Sequence, residues 1–262
     1  MIIYDLSRLP DDVRKQILNS EKFTKWFSEY PSKLLSIGAD AKTVKGEKYR
    51  VLTGIQYLSA HKLSGLNLCA MADIAGCSEP CLRSAGRGAM NSTQMSRLRK
   101  TLFMQQYWEE YLAMLQKEVQ RFAYYCDARK YTPAIRLNGT SDIRWENKIW
   151  DYMVSTSHWF GVRWYDYTKE VNRIIPDPKI YDLTFSYSGK PQFRRFVDKA
   201  KAMGMRIAVV FRYQKDIPEV FEGMQTFDGD DSDLRFLEPQ GVVSALYAKG
   251  KAVHDYSGFV VG

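Results

Sequence analysis

The spacing of apolar and polar residues changes halfway along the chain. In the first half, apolar residues recur three to four positions apart, which predicts helices over residues 1–30 and from about 91 to 127, the second broken once. Residues 31–48 are predicted as loop, and the alternating, β-branched stretch 51–59 as a strand. In the second half, helices over 145–157 and 191–204 separate predicted strands at 134–138, 162–167, 181–186, 205–211 and 241–249, and a further short strand precedes residue 228.

This order of elements predicts the fold class. Strands that alternate with helices are typical of parallel βαβ units. Six or seven mostly parallel strands predict an α/β fold, a partial (β/α) barrel rather than a closed barrel of eight strands. We expect residues 1–48 to form a helical N-terminal extension and residues 49–262 to form a single α/β domain that carries the cysteine cluster.

Composition narrows the range of partners and compartments. The chain of 262 residues has a formal net charge of +8, which is compatible with nucleic acid or a nucleotide as partner. It contains no apolar run of the roughly 18 residues that a membrane span needs, and its first residues lack the layout of a signal peptide. We therefore expect a cytoplasmic protein without membrane contact. The densest group of basic residues follows the cysteines and consists of Arg83, Arg87, Arg97, Arg99 and Lys100. Its alternative interpretation is an ordinary solvated surface.

Three of the four cysteines lie within thirteen residues. They limit the possible chemical functions of the protein more than any other feature of the sequence. Cys69, Cys77 and Cys81 have the spacing C-x7-C-x3-C on a Gly-containing loop after the first strand of the predicted barrel. In a reducing compartment, clustered cysteines indicate metal ligands or redox centres rather than disulfides. We expect a 4Fe-4S cluster with one open iron; a zinc site, with His61 as the nearest fourth ligand, and a loop without metal are the alternatives. Cys126 is expected in the core.

Polar residues follow the next strands at the ends where a parallel sheet builds its binding sites. We expect them on the same edge as the cysteines, although turn formation is the alternative interpretation of each one. They are Asn138, Thr140, Ser141 and Asp142 after the second strand, Thr168 and Lys169 after the third, and Ser186 and Ser188 after the fourth.

The stretch DGDDSD, residues 228–233, places four carboxylates within six residues. It resembles the start of a calcium loop but lacks the glutamate at the twelfth position. We expect an acidic turn in which Asp233 pairs with Arg235, with divalent-metal binding as the alternative.

Several segments together resemble the phage "gene product 88" family: NLCAMADIAGCSEPCLRSAGRG, RLRKTLF, IRLNGTSDIRWE and DGDDSDLR. The resemblance covers about residues 50–262 and implies a phage or prophage origin and expression in the cytoplasm of a bacterial host. More loosely, the chain is similar to radical S-adenosylmethionine enzymes, whose usual spacing is C-x3-C-x2-C. That similarity implies that Cys69, Cys77 and Cys81 ligate the cluster, and that residues 138–142 lie near S-adenosylmethionine.

Two functions follow as expectations. The first is a radical S-adenosylmethionine-like enzyme that acts on an unidentified substrate, such as a nucleotide or nucleic acid, with Asp142 and Lys169 as polar contacts to the cofactor. The second is a non-catalytic protein that binds nucleic acid or a host protein and contains a structural iron–sulfur or zinc site. In that case the basic group contacts phosphates, and bases stack on exposed tryptophans, whose alternative role is core packing: Trp145, Trp159 and Trp164.

Overall fold

Nine strands form one sheet in the part of the chain that this computed structural model describes, residues 4–38, 44–81, 84 and 86–262. In spatial order the strands run β1-β2-β3-β4-β5-β6-β9-β8-β7. Neighbours from β2 to β8 are parallel, whereas β1 and β7 pair antiparallel at the two edges, so the sheet is open. The strands are β1 (Leu35–Ile37), β2 (Val51–Gln56), β3 (Thr132–Arg136), β4 (Arg163–Thr168), β5 (Tyr181–Ser186), β6 (Ile207–Phe211), β7 (Val220–Phe221), β8 (Met224–Asp228) and β9 (Val243–Tyr247).

Helices connect most of the parallel strands. The predicted long helix is broken at Tyr107, whose φ of −134° and ψ of 59° are not helical. Within the described residues, no helix combines the length and the apolar character that crossing a bilayer requires. The helices are α1 (Asp11–Leu18), α2 (Glu21–Trp26), α3 (Ala72–Ala75), α4 (Asn91–Gln106), α5 (Trp108–Ala128), α6 (Glu146–Phe160) and α7 (Arg194–Ala202).

The predicted α/β class with a mostly parallel sheet is confirmed, and the sheet has nine strands where six or seven were predicted. Strand β1 lies in the stretch 31–48 that was predicted as loop, and β7 has only two residues. Strands of two or three residues are too short to show the alternation on which sequence prediction depends. The antiparallel edge therefore appears only in the structure.

One face of the sheet packs against the helices. Alternate residues of the central strands, such as Ile135, Trp164 and Leu183, join buried side chains of α4, α5 and α6 in one apolar cluster. Ile17 of α1 and Phe23 of α2 belong to the same cluster, so the N-terminal helices pack on the body of the protein. Cys126 is fully buried in it, as expected.

The opposite face is polar and is covered by the segment of residues 229–238. Its Leu234 packs with Val51, Ala134 and Tyr165. Asp233 accepts hydrogen bonds from Arg136 Nη1 at 2.9 Å and from the hydroxyls of Tyr165 and Tyr167 at 3.2 and 3.1 Å.

The ion pairs of this segment differ from the predicted ones. Asp233 pairs with Arg136, whereas the ion-pair partner of Arg235 is Glu238. Asp230 is buried and pairs with Lys249 at 2.8 Å. The predicted acidic turn is therefore present, but the predicted pairing of Asp233 with Arg235 is replaced by contacts to distant elements.

Candidate metal centre at the carboxyl edge of the sheet

The cysteine loop follows β2 at the carboxyl end of the strand. Cys69, Cys77 and Cys81 are free thiols of intermediate burial. Between the first two, the single turn of α3 ends at Gly76, whose φ of 69° is the left-handed conformation that glycine adopts without strain. Cys77 N–H then donates to Ala72 O at 3.1 Å, so the chain folds back after α3.

The loop after β3 holds the first cysteine. Cys69 Sγ lies 3.8 Å from the carbonyl oxygen of Thr140, to which it donates. One residue earlier, Leu68 O accepts from Asp142 N–H at 2.8 Å. The cysteine loop and residues 138–142 are therefore in direct contact, as the sequence predicts.

The middle of the cysteine loop is held by two later segments. Ser188 Oγ, after β5, donates to Ala75 O at 2.7 Å. Ser257 Oγ donates to Gly76 O at 3.5 Å. Val261 forms a parallel bridge with Phe211 at the end of β6, which fixes the stretch that carries Ser257. The edge that carries the cysteines thus includes a C-terminal stretch that sequence reasoning missed.

The three thiols interact electrostatically. Burial raises the pKa of Cys69 to about 12 and also raises the pKa of Cys77. Charge on Cys81 raises the pKa of both other thiols further, so the three sulfurs lie within range of one another. Metal binding at such thiols displaces their protons.

The sulfurs are not arranged in ligating geometry. Among the described residues, no three His, Cys, Asp or Glu side chains are placed together to hold a metal ion. The imidazole of His61, the fourth ligand expected for zinc, lies 3.1 Å from Asp73 instead.

Lys169 places a buried positive charge beside the thiols. Its Nζ donates to Ser186 O and Oγ and to Tyr187 O at 3.0–3.1 Å, and it lies 4.7 Å from the ring centroid of Phe259. Burial lowers its pKa, while the nearby negative groups, Cys77 first, act in the opposite direction. A buried lysine cation near Cys69, Cys77 and Cys81 stabilises negative charge on these three thiols.

The polar residues after β3 form hydrogen bonds within their own loop, which lies at the cysteine-bearing edge of the sheet. Asn138 Oδ1 accepts from Ser141 Oγ, Ile143 N–H and the Trp145 indole N–H at 2.9–3.2 Å. Thr140 Oγ1 donates to Leu58 O. These side chains therefore shape the loop whose main chain faces the cysteines.

Asp142 joins this loop to the one after β4. Its Oδ2 accepts from Lys169 N–H at 2.8 Å, and its Oδ1 pairs with Arg173 Nη1 at 3.2 Å. Burial raises the pKa of Asp142, and Arg173 opposes that rise. Arg173, which the sequence did not single out, therefore helps to hold the predicted site together.

The four described members of the basic group after the cysteines do not form the exposed surface that phosphate contacts require. Arg97 and Lys100 are buried, and Lys100 Nζ donates to Leu34 O at 2.9 Å. Arg99 Nη1 donates to Trp26 O at 3.0 Å. Arg87 is exposed, and Arg83 lies outside the described residues.

The three tryptophans predicted to stack on bases also differ in burial. Trp145 and Trp164 are core residues, so neither is available to stack on a base. Trp159, on α6, is 73% exposed. Of the predicted stacking residues, only Trp159 is exposed, and it lies on a helix rather than on the cysteine-bearing edge.

The fold and the site define an α/β protein with a mostly parallel sheet and a three-cysteine loop at the carboxyl ends of its strands. Residues 32–261 match the family model described as Gene product 88, and the chain belongs to that family. No curated protein matches the chain, and no solved structure matches it. The predicted family is thus confirmed, whereas the similarity to radical S-adenosylmethionine enzymes stays a prediction.

Proposed function

We propose that the chain is a phage-type radical S-adenosylmethionine-like enzyme in which Cys69, Cys77 and Cys81 hold a 4Fe-4S cluster. The observation that carries the proposal is the position of three interacting thiols beside the buried Lys169, at the carboxyl edge of a parallel sheet. The proposed substrate is a nucleotide or nucleic acid, in keeping with the net charge of +8.

The chemistry of the three thiols suits such a cluster, although their sulfurs do not lie in ligating geometry in this structure. Three thiolates leave one of four irons open, and the zinc alternative needs a fourth protein ligand, for which His61 is engaged with Asp73. When bound, a cluster of this kind supplies the electron that cleaves the sulfonium bond of S-adenosylmethionine. The protein's own contribution is the Lys169 cation, which offsets the negative charge of the thiolates, and the loops that hold the cysteines.

The same proposal includes a partial (β/α) barrel formed by the sheet. From β2 to β6 the strands lie side by side in chain order, as the strands of a (β/α) barrel do. The helices cover one face, and the polar face is closed by residues 229–238, which reach from β8 to Arg136 on β3. These contacts support a sheet that curls around a polar interior.

Anaerobic purification with quantification of iron, sulfide and zinc tests the metal. We expect about four irons and four sulfides per chain, lost when Cys69, Cys77 and Cys81 are replaced together by alanine. Cys126→Ala is the matched control, because this thiol is fully buried in the helix-side core and its replacement leaves the edge unchanged.

Cleavage of S-adenosylmethionine under reducing conditions tests the chemistry. We expect turnover by the iron-loaded protein and by Cys126→Ala, and none by the triple variant. One zinc and no iron would contradict the proposal and favour the alternative, a non-catalytic protein with a structural zinc that binds nucleic acid or a host protein. An intact cluster with salt-sensitive nucleic-acid binding but no cleavage would also contradict the enzymatic part.

A further inference from the structure

Arg97 on α4 is a buried cation whose hydrogen-bond donors lack acceptors. Its side chain is buried, with 9% of the residue exposed, and its Nε and Nη1 have no partner among the described residues. Each of the other buried arginines donates at least one hydrogen bond to a carboxylate or a carbonyl oxygen: Arg136, Arg173, Arg206, Arg212 and Arg235. Arg136 Nε and Arg235 Nε and Nη1 also lack hydrogen-bond partners in the described part of the chain. Buried donors are nearly always satisfied, so an exception calls for an explanation.

The guanidinium of Arg97 lies at the cysteine-bearing edge. Its Cζ is 4.9 Å from the ring centroid of Tyr57, the residue that follows β2. Burial lowers the pKa of Arg97, and the nearby Tyr57 and Cys81 oppose that effect. The unpaired donors of Arg97 are therefore buried near the carboxyl end of β2, the end from which the cysteine loop follows.

The position of Arg97 is fixed by its neighbours. Arg97 O accepts from Thr101 Oγ1 at 2.9 Å, and the same hydroxyl accepts from Ser59 N–H at 2.8 Å. The helix is thus tied to the segment that leaves β2. A planar guanidinium held in this way presents its N–H donors in fixed directions, in which a carboxylate or phosphate oxygen can accept them.

We propose that Arg97 anchors an oxyanion, the carboxylate or phosphate group of a small molecule that binds at the carboxyl end of β2. Such a group supplies the negative charge and the hydrogen-bond acceptors that the buried guanidinium lacks. The proposal rests on the proposed function, because it makes the ligand of Arg97 the substrate or cofactor of the same site.

Calorimetric titration at constant ionic strength tests this inference on the protein as purified anaerobically. One pair of probes is adenosine 5′-monophosphate against adenosine, and the other is S-adenosylmethionine against 5′-methylthioadenosine, which lacks the carboxylate. In at least one pair, we expect the compound with the oxyanion to bind more tightly. Arg97→Gln should weaken that binding by about tenfold or more, and the pair that responds identifies the source of the oxyanion.

Arg99→Gln is the matched control, since Arg99 lies on the same helix but donates to Trp26 O and sits over the Trp26 ring. It should bind the probe as the unchanged protein does. If Arg97→Gln does not fold, Arg97→Lys keeps the charge without the paired donors and should still weaken binding. Unchanged affinity in the Arg97 variants, or no preference for either oxyanion, would overturn the inference. So would loss of iron from Arg97→Gln without any oxyanion binding, because Arg97 would then serve the cysteines alone.

Iron content measured on the same samples separates this inference from the proposed function. Iron-loaded protein without oxyanion binding contradicts only the role of Arg97. Oxyanion binding that depends on Arg97 in protein without iron contradicts only the cluster.

Discussion

At the scale of single residues, close backbone contact sets the distance between β2 and the loop after β3. A Cβ atom at Gly139 would lie 2.6 Å from Gln56 O and 2.6 Å from the Tyr57 ring. One of these two is a backbone oxygen that cannot rotate away. The tight approach is therefore possible only with glycine at this position.

Gly139→Ala should destabilise the protein by about 1–3 kcal/mol, because the added methyl group forces the two segments apart. Urea unfolding measures the loss, and the iron content shows whether the cysteine loop is displaced with residues 138–142. Gly161→Ala is the control: its φ is +65°, but no atom lies within 4 Å of the added Cβ. It should lose about 1 kcal/mol from backbone strain and keep its iron.

Asp166 is a second residue whose surroundings matter, because they should make the free energy of unfolding depend on pH. It accepts from Asn138 N–H and from the Tyr181 hydroxyl, both at 2.9 Å, and burial raises its pKa to about 7. The native state then holds a proton that the unfolded chain has already lost. The free energy of unfolding should therefore decrease as the pH rises from about 4 to about 7.

Asp166→Asn removes this titration, so the decrease between about pH 5 and about pH 8 should become smaller by more than about 1 kcal/mol. Urea unfolding of both proteins at the two pH values gives the comparison. Equal pH dependence in the two proteins would show that the carboxyl group titrates at the same pH when folded and unfolded.

At the scale of elements, the edge strand β1 depends on the helices beside it. The carboxylate of Glu118, on α5, accepts from Leu34 N–H at 2.7 Å and from Leu35 N–H at 2.8 Å. Lys100 on α4 donates to Leu34 O, and burial lowers the pKa of this lysine to about 8. Two helices thus hold the start of a three-residue strand.

Glu118→Ala should therefore destabilise the protein by about 2–3 kcal/mol, since two buried N–H groups lose a charged acceptor. Hydrogen exchange should accelerate at the amides of β1 and remain slow in β3 and β4. Lys117→Ala, an exposed neighbour on the same helix, should change stability by less than about 0.5 kcal/mol. Uniform acceleration across the sheet would mean that β1 has no local support.

The same strand shows how far the sequence predicts this fold. The strands from β2 to β6 are largely buried stretches of five or six residues, a pattern that is visible locally, and they were predicted. Strand β1 depends on Glu118, 83 positions away from Leu35, and no local pattern reveals such a partner. In the site, the order of elements placed residues 138–142 and Lys169 near the cysteines, but the approach of Phe259 and the missing acceptors of Arg97 required the folded chain.

At the scale of the whole molecule, the segment of residues 229–238 joins distant parts of the sheet. Asp233 binds Arg136 of β3 together with Tyr165 and Tyr167 of β4, although the segment itself follows β8. The buried carboxylate of Asp233 is therefore a main polar contact in the closure of this face, beside the packing of Leu234.

Asp233→Ala should lower stability by about 2–4 kcal/mol, because the buried Arg136 guanidinium loses its hydrogen-bonded carboxylate and keeps only Asp166, 3.7 Å away. Urea unfolding measures this loss, and limited proteolysis should show earlier cleavage within residues 229–238. Asp231→Ala is the control: Asp231 pairs with Lys48 near the surface, and its loss should cost less than about 1 kcal/mol. Equal resistance of both variants to protease would contradict the closing role of Asp233.

The hydrogen bonds that hold the cysteine loop join residues far apart in the sequence, so they form late in folding. Cys69 and Thr140 are 71 positions apart, Ala75 and Ser188 are 113 apart, and Gly76 and Ser257 are 181 apart. Contacts over such separations form slowly, after the loops between them have closed. On the ribosome, the cysteines emerge long before Ser257 is synthesised, so the nascent chain carries three loosely held thiols for most of its synthesis.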